Sequence, residues 1–570
     1  MARNTGVFAI VLWLAASTFA QEKNQKVHDG SYLPGPAIVA MQGIRKENIE
    51  AHVRFLSHDL LEGRGTGARG GDIAAQYIAT QFALYGLKPA GDNGSYMQKV
   101  PLVGVTPGGD TRFSFVPSGG SAWDLKVLDD YVVYDQTQQS VSDIDASIVF
   151  VGYGIEAPEY NWNDYKDVDV KGKVLLMLVN QPSDDPNLFH GKALTYYGRW
   201  MYKYEEAARK GAVGAILIHT TEMASYPWDV VRNSNSGEKA YLELDGTPKL
   251  KASAWIQLDV ARKLAAMSGL DLDKLMMDAK SRDFKPVRLS VRLSAHVTSK
   301  VRPFESNNVI AVLPGTALKD EGIIYTAHYD HLGIRPDMPG DNIYNGAFDN
   351  ASGCGILMEI ARAYAQAAER PRRSIYFASV TAEEQGLLGS EYLGKHLPIP
   401  AAKMSLDLNY DDVRPQGSPE EVEVSGAERT TFYPFVVEAA QDFRFKIRAD
   451  AHPEAGHYYR SDHFSLARVG VPAFSINQGI KFKGHDEAWG LAQDEDYTQH
   501  HYHQPSDEYH PGLDWTSDAA MARFGFAIGW QAASQPHLIG WKKGDEFERA
   551  RQQSEAEAGA ATSDTKVKGH

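Results

Sequence analysis

Histidines and carboxylates follow the apolar runs in the second half of the chain: His328, Asp349, Glu383, Glu384, Asp407 and His503. Adjacent carboxylates such as Glu383 and Glu384 repel each other unless a positive charge holds them. An unpaired carboxylate inside an apolar strand, as Asp407 would be, is costly to bury. A two-metal hydrolase needs two histidines and three carboxylates as ligands, and a further carboxylate as general base. The set therefore predicts a two-metal site in which five of these residues are ligands and Glu383 remains as the general base.

Taken singly, each of these residues has a simpler explanation. His328 could be an exposed residue at a strand end, and Asp349 could cap the helix that follows it. The Glu383–Glu384 pair and the polar cluster 500–507 could lie on surface loops. Asp330 lies two residues after His328 and could accept a hydrogen bond from the far ring nitrogen, which would fix the tautomer that binds metal.

The elements around these residues indicate an α/β fold. A helical pattern starts at Glu47, a glycine-rich loop covers 62–67, and a second helix is expected at about 72–85. Apolar strands are predicted at 309–313, 323–327, 375–380, 404–408 and 471–476, with a helix over about 354–365. This alternation predicts a mixed, mostly parallel sheet sandwiched by helices. The chemistry of such sheets lies beyond the carboxyl ends of the strands, where the polar residues are found.

The order of motifs resembles the zinc-dependent exopeptidases of metallopeptidase family 28, the aminopeptidase and glutamate-carboxypeptidase group. The matching strings are at 328–330, 346–353, 382–390, 406–407, 460–463, 469–472 and 502–507. The string 61–67 matches family members that carry an inserted protease-associated domain, and the β-rich region 130–300 resembles that insert. The resemblance covers about residues 47–540.

The resemblance implies two Zn²⁺ ions and peptide substrates. By position, Asp349 would bridge the ions, His328 and Asp407 would complete one site, and Glu384 and His503 the other. Glu383 would be the general base, Asp330 would orient His328, and Tyr502 could hydrogen-bond the oxyanion.

The leading expectation for the activity is an aminopeptidase that acts on free peptide N-termini. A glutamate-releasing carboxypeptidase would need a basic clamp for the substrate carboxylate, for which Arg460 is the nearest candidate. Asp462 and His463 beside it suit a substrate amine at least as well. A cyclase of N-terminal glutamine and a non-catalytic scaffold resembling the transferrin-receptor ectodomain are the remaining alternatives. The insert could restrict access, bind substrate or be a spacer.

The composition and the net charge further limit the binding partners and the kinds of metal site that the chain can have. The 570 residues carry a net charge of −15, which disfavours non-specific binding to nucleic acid. The single cysteine, Cys354, excludes an intrachain disulfide and thiolate metal clusters, and is expected to be a packing residue. Arg3, the apolar run 7–14 and Ala20 predict a cleavable signal peptide and a secreted or periplasmic protein without a membrane span. The oligomeric state stays open.

These expectations divide the chain into a signal peptide 1–20, a leader 21–46, an N-terminal part of the peptidase domain 47–130, the insert 131–300, the catalytic part 301–540 and a polar tail 541–570, which is expected to be a frayed helix or disordered.

Overall fold

The computed structural model of the chain describes residues 33–567 except 184, 190, 225 and 337, with side chains described as far as residue 560. The predicted signal peptide 1–20 lies outside the described residues. No helix in the described ranges combines the length and the apolar character that crossing a membrane requires.

Helices are numbered in chain order as follows: α1 Gly35–Gln42, α2 Lys46–Leu56, α3 Arg69–Leu84, α4 Trp200–Arg209, α5 Thr221–Ala224, α6 Trp228–Ser234, α7 Leu258–Ala266, α8 Leu272–Asp278, α9 Ser352–Gln366, α10 Leu388–Lys395, α11 Tyr433–Asp442, α12 His463–Arg468, α13 Glu487–His500, α14 Thr516–Ser534 and α15 Glu548–Val567.

Strands are numbered in the same way: β1 Lys88–Pro89, β2 Met97–Pro107, β3 Arg112–Pro117, β4 Trp123–Asp124, β5 Tyr131–Tyr134, β6 Val141–Phe150, β7 Glu156–Ala157, β8 Trp162–Asn163, β9 Val174–Leu178, β10 Gly214–His219, β11 Lys239–Leu242, β12 Ala252–Gln257, β13 Val287–Leu313, β14 Leu318–His328, β15 Gly333–Ile334, β16 Ile343–Tyr344, β17 Arg373–Val380, β18 Met404–Asn409, β19 Glu421–Glu423, β20 Lys446–Arg448, β21 Ala473–Ser475 and β22 Asn477–Gln478.

The part of the chain that carries the predicted site, which we call the main unit, comprises the residues before and after the region 131–300. It is built on a sheet in which β17, β14, β18 and β21 are parallel and β13 is antiparallel to β17. The parallel strands are buried on both faces, which is why they read as continuous apolar runs. One face packs on a core that includes side chains of α2, α3, α9 and α14. The other face packs on Leu393 of α10 and Leu466 of α12. The expected sheet sandwiched by helices is therefore present.

The region expected to be an insert has its own run of parallel strands and its own apolar cores. Strands β6, β9, β10 and β12 are parallel, and helices α4, α7 and α8 pack beside them. Its apolar core includes residues from Phe113 onward. The long strand β13 pairs with β6 near its start and with β17 at its end, so the expected boundary at residue 300 falls inside one continuous strand.

Two ends of the described chain are more ordered than expected. Part of the expected leader forms α1, which buries Ala37 and Met41 against the main core. The polar tail forms α15, where the buried Arg551 guanidinium donates to the carbonyl oxygens of Ala401 at 2.8 Å and Met404 at 2.9 Å. Arg551 therefore anchors the start of a helix whose composition is otherwise that of a solvated segment.

Candidate metal centre

The functional side chains converge beyond the carboxyl ends of the parallel strands. His328 is the last residue of β14, the Glu383–Glu384 pair follows β17, and Asp411 follows β18. Asp349 lies in the turn that leads into α9, and His503 follows α13. The parallel arrangement alone brings the first three segments to one edge of the sheet.

The first cluster is formed by His328, Asp349 and Asp411. The Nε2 atom of His328 lies 3.3 Å from Oδ1 of Asp349 and 3.1 Å from Oδ1 of Asp411. His328 is 1% exposed, and its Nδ1 atom lies 3.2 Å from the backbone carbonyl oxygen of Asp330. That contact fixes the tautomer in which Nε2 faces the cluster with its lone pair.

Asp407, expected as a ligand, does not take part in this cluster, and Asp411 takes its place. Asp407 lies inside β18, four residues or about 13 Å of extended chain before Asp411. One of its oxygens accepts a hydrogen bond from Thr326 Oγ1 at 3.0 Å, and the other has no hydrogen-bond partner. Burial raises the pKa of Asp407 well above its usual value, because the charged form loses its solvation in the core.

The second cluster is formed by the other oxygen of Asp349, Glu384 and His503. The Nε2 atom of His503 lies 3.2 Å from Oδ2 of Asp349 and 3.1 Å from Oε2 of Glu384. Burial alone would lower the pKa of His503, but the two carboxylates outweigh it and raise that pKa to about 11. Asp349 therefore presents one oxygen to each cluster, as a bridging ligand must.

His331 joins the second cluster and was not expected there. It is fully buried, and its Nδ1 atom lies 2.6 Å from Oε1 of Glu384 and 4.0 Å from Oδ2 of Asp349. Neither ring nitrogen of His331 nor Oε1 of Glu384 has a partner with hydrogen-bond geometry. The sequence signal was a second histidine three residues after His328, but nothing in the spacing assigns it a partner.

The donor set fits zinc. Zinc takes histidine nitrogens and carboxylate oxygens at 2.0–2.2 Å, and two tetrahedral ligands at that distance are about 3.3 Å apart. The contacts among Asp349, His328 and His503 lie at 3.2–3.3 Å. Two groups of potential ligands occur, one around His328 and one around His331, and both contain Asp349. The buried oxygen and nitrogen atoms without hydrogen-bond partners agree with this assignment, because a buried polar atom needs a partner.

Asp507 and Arg64 hold the turn that carries Asp349. The carboxylate of Asp507 accepts hydrogen bonds from the backbone N–H groups of Phe348 at 3.0 Å and Asp349 at 3.1 Å. The fully buried guanidinium of Arg64 donates to the carbonyl oxygens of Gly346 at 2.7 Å and Tyr329 at 2.7 Å. Gly346 lies three residues before Asp349, and Tyr329 directly follows His328. These two side chains are outside both clusters but set the positions of residues within them.

Glu383 and Asp330 are joined by a hydrogen bond beside the two clusters. The carboxylate of Asp330 accepts from the backbone N–H of Glu383 at 3.1 Å and from Thr66 Oγ1 at 2.8 Å. It lies 3.9 Å from Nδ1 of His328, so the expected orienting contact is made by the Asp330 backbone carbonyl instead. Burial raises the pKa of Glu383 well above its usual value, against the opposing effect of His328. Glu383 is thus free of both ligand groups, as a general base should be.

Tyr502 borders the second cluster from the solvent side. Its ring stacks on His503 with a centroid separation of 4.0 Å, and the residue is 46% exposed. Burial on its inner side and the nearby carboxylates, led by Asp349, raise the pKa of its phenol, so the hydroxyl keeps its proton at neutral pH.

The three residues expected to bind substrate have different environments. Arg460 is exposed, and its Nη2 donates to the carbonyl oxygen of Ala455 at 2.8 Å. Asp462 and His463 are 0% and 1% exposed. His463 packs edge-on against Tyr458, and burial lowers its pKa to about 3. Both side chains are enclosed by the protein, and the expectation that Arg460, Asp462 and His463 bind substrate stays a prediction.

Comparisons with known proteins identify the region that carries these clusters. Residues 308–528 match the model of peptidase family M28. A probable zinc metalloprotease of Leptosphaeria maculans is 36% identical over 135 residues, 21% of this chain and 30% of its own length. The aminopeptidase NAALADL1 of Mus musculus is 33% identical over 146 residues, 24% of this chain and 18% of its own.

Among solved structures, an aminopeptidase from Aneurinibacillus sp. strain AM-1 aligns with a TM-score of 0.47 and 19% identity, over 89% of this chain and 98% of that one. The chain spans less than a third of the length of the two curated relatives. The family match includes both clusters, from His328 to His503. Residues 308–528 are therefore similar to peptidase family M28.

Proposed function

We propose that this chain is an exported metallo-aminopeptidase that holds two zinc ions and removes residues from the free N-termini of peptides. The observation that carries the proposal is the position of Asp349, whose two oxygens face His328 and Asp411 on one side and His503 and Glu384 on the other. The zinc metalloprotease and aminopeptidase names of the relatives support the same reading.

In this proposal five side chains hold the metals. His328 and Asp411 would hold one ion, Glu384 and His503 would hold the other, and Asp349 would contribute one oxygen to each. When bound, two zinc ions supply Lewis-acid chemistry that acidifies the attacking water and polarises the scissile carbonyl. His331 would border the second ion, and its close contact with Glu384 would fix the orientation of that carboxylate.

Glu383 moves the proton. Its carboxylate accepts a proton from the attacking water and delivers it to the nitrogen of the leaving amine, so no covalent intermediate with the protein is required. The hydrogen bond from its backbone N–H to Asp330 holds the residue in place. The hydroxyl of Tyr502 donates a hydrogen bond to the developing oxyanion.

Three measurements on the purified chain test the proposal. Metal analysis should give two zinc ions per chain, and a chelator should abolish the release of coumarin from aminoacyl-coumarin substrates. A free-amine peptide should be hydrolysed and its N-acetylated form should not. Hydrolysis of the acetylated form would favour the carboxypeptidase alternative, and protein without metal or activity would favour the scaffold.

Export is proposed from Arg3, the apolar run 7–14 and Ala20. Expression of the full chain with cell fractionation, followed by N-terminal sequencing, should yield a mature protein that starts at Gln21. An intact Met1 in the cell interior would contradict it.

A further inference from the structure

Helix α13 leads into the segment that carries His503, but it buries few of its side chains. Of its 14 residues only Gly490 and Tyr497 are buried. Gly490 packs so closely that a Cβ atom there would lie 1.7 Å from the carbonyl oxygen of Ile480. Tyr497 lies on the last turn of the helix, six residues before His503. The contacts of Tyr497 are therefore the ones that can fix the end of α13 that faces the metal centre.

The backbone of Tyr497 shapes the turn that reaches His503. Its carbonyl oxygen accepts the N–H groups of His501 at 2.9 Å and Tyr502 at 2.8 Å. The ring of Tyr502 in turn stacks on that of His503 with a centroid separation of 4.0 Å. A displacement of Tyr497 would therefore move this ligand of the second cluster with it.

The side chain of Tyr497 is attached to the turn of Asp349. Its hydroxyl donates to Oδ2 of Asp507 at 3.3 Å, and the same oxygen accepts the backbone N–H of Asp349 at 3.1 Å. The ring of Tyr497 lies 6.0 Å from that of Phe348, the residue before Asp349. The proposed bridging ligand and His503 are therefore both positioned against one tyrosine.

Arg414 brings a third ligand-bearing segment to the same tyrosine. It lies three residues after Asp411, and its guanidinium carbon is 4.7 Å from the centroid of the Tyr497 ring. Its Nη2 donates to Oδ1 of Asp494, which precedes Tyr497 by one turn on α13, at 2.5 Å. A cation over an aromatic face and a charge-assisted hydrogen bond both attract Arg414 to this helix. The loop after β18 is thus tied to α13.

The remaining donors of Arg414 are not used in this way. Its Nε and Nη1 atoms are buried without hydrogen-bond partners, and Nε lies 3.7 Å from Oδ1 of Asp412. Burial alone would lower the pKa of Arg414, but Asp412 and Asp494 outweigh it and raise that pKa, so the guanidinium stays charged. Burying a charge with unused donors adds little net stability, whereas its contacts do specify how two segments lie against each other.

We propose that three side chains form a brace between the ligand-bearing segments of the two clusters: Arg414, Asp494 and Tyr497. The brace joins the segment after Asp411 to the segment before His503. None of the three belongs to either group of potential ligands, so they are positioning residues. The proposal rests on the proposed two-zinc function and adds a consequence to it. Loss of the brace beside one cluster weakens the zinc ion at the other.

The test follows one ion while the brace is changed at the other cluster. In Asp411→Asn the first cluster is disabled, so the remaining zinc ion lies at the second cluster, and competition with a chromophoric chelator gives its affinity. Adding Arg414→Gln should weaken this ion about tenfold, at the lower end of the roughly 10–100-fold range for residues that support metal ligands. If Arg414 supports only the segment of Asp411, the added substitution leaves the remaining ion unchanged and the brace is wrong.

The sign of this effect separates positioning from charge. Arg414 is a cation, so its removal would strengthen zinc binding if only the electrostatic field mattered. Weaker binding in Arg414→Gln therefore requires a change in the position of the ligands. Tighter binding would show a field effect and would overturn the brace.

The partner on α13 keeps the test valid if Arg414→Gln folds poorly. The Asp494 side chain is 49% exposed, so Asp494→Asn removes the ion pair from the surface and should weaken the remaining ion by a similar factor. Asp494→Glu keeps the charge and should restore the affinity. Combining Asp494→Asn with Arg414→Gln should cost no more than either substitution alone, because both remove one contact, whereas additive losses would contradict a shared role.

Matched variants separate the brace from general effects on α13. Tyr497→Phe keeps the ring beneath Arg414 but loses the hydroxyl bond to Asp507, and it should also weaken the remaining ion. Glu495→Gln is the control, because this exposed neighbour of Asp494 bonds only along the helix surface, to Gln499 at 2.9 Å, and it should leave zinc binding unchanged. An equal loss of affinity in the control would overturn the brace.

The outcomes distinguish the brace from the proposed function. If the wild type binds two zinc ions and hydrolyses peptides, but the brace variants leave the remaining ion unchanged, the brace is wrong and the function stands. If the wild type binds two zinc ions but hydrolyses no peptide, the aminopeptidase function fails. In that case weaker zinc binding by the brace variants still supports the brace, and unchanged binding overturns it. A wild type that binds no zinc would overturn both proposals.

Discussion

The Asp507 carboxylate accepts the backbone N–H of Asp349 at 3.1 Å, so the residue proposed to bridge two metals is held by a second carboxylate that binds neither. Asp507 also accepts the N–H of Phe348 at 3.0 Å, and its own N–H is bonded to Gln504 next to His503. It therefore links the turn of Asp349 to the segment of His503.

Substitution of Asp507 should consequently weaken metal binding. Asp507→Ala removes the acceptor of two backbone N–H groups and leaves the Asp349 turn unsupported. Loss of an outer partner of a ligand typically costs about 10–100-fold in metal affinity or activity. Zinc competition titrations should show this loss, whereas Glu495→Ala, at an exposed residue of α13, should bind zinc as the wild type does. Unchanged affinity in the Asp507 variant would remove it from the support of the site.

Asp411 and Asp407 provide a direct test of which carboxylate completes the first cluster. Asp411→Asn should lose close to one zinc ion per chain, because its oxygen lies 3.1 Å from the His328 nitrogen that faces the metal. Asp407→Asn should keep both ions, since its side chain is outside both ligand groups and an amide oxygen can still accept the hydrogen bond from Thr326. Metal analysis of the two purified variants decides between them. The reverse pattern would restore Asp407 as the ligand.

The contrast between these two aspartates shows what the sequence could and could not predict. The strand ends, the parallel sheet and the convergence of His328 and Glu384 follow from apolar runs and from the rule that parallel strands end at one edge, whereas Asp349 and His503 were expected as ligands from the resemblance of the motifs. The ligand that follows β18 cannot be predicted in this way. Burying a carboxylate costs free energy, and either a metal ion or protonation can remove that cost. The structure resolves this, since Asp407 lies inside the strand and Asp411 beyond its end.

His331 and Arg64 were beyond sequence reasoning for another reason. Their roles depend on contacts between segments far apart in the chain. His331 pairs with Gly65 in an isolated bridge, and Arg64 donates to carbonyl oxygens of residues 329, 345 and 346. Neither contact produces a periodic pattern or a characteristic spacing of residues that could be recognised in a single sequence.

Arg64 should be essential for the geometry of the site. Its guanidinium donates to four backbone carbonyl oxygens while fully buried, and Arg64→Lys cannot reach all four with one ammonium group. An unsatisfied buried acceptor costs about 1–3 kcal/mol, so stability should fall by at least about 2 kcal/mol and kcat should fall with it. Urea unfolding and kinetics measure both quantities. The matched variant Arg69→Lys, at an exposed arginine paired with Glu62 at 3.1 Å, should change neither. Equal behaviour of the two variants would contradict this role.

Glu383→Gln should separate chemistry from metal binding. Glutamine keeps the size of the side chain and the backbone hydrogen bond to Asp330 but cannot accept the proton of the attacking water. Turnover should fall about 10²–10⁴-fold while the zinc content stays that of the wild type. Near-normal turnover would exclude Glu383 as the base, and a loss of zinc would instead make it a ligand.

We expect the buried carboxyl group of Asp518, which lies outside the metal centre, to make the stability of the protein depend on pH. It is fully buried at the start of α14, one of its oxygens has no partner, and burial raises its pKa from 3.8 to about 8. Above about pH 4 the unfolded chain releases this proton, whereas the folded chain keeps it until about pH 8. The folded state binds more protons in this window, so the contribution of Asp518 to stability falls as the pH rises from 4 to 8.

Asp518→Asn removes the titrating group and should abolish this loss. The variant should gain at least about 1 kcal/mol over the wild type between pH 5 and pH 8, because one pKa unit corresponds to about 1.4 kcal/mol. Urea unfolding of both proteins at the two pH values measures the difference, and zinc loss affects both proteins alike. A constant difference between them across this range would show that Asp518 is ionised in the folded protein, with a cation that compensates its charge.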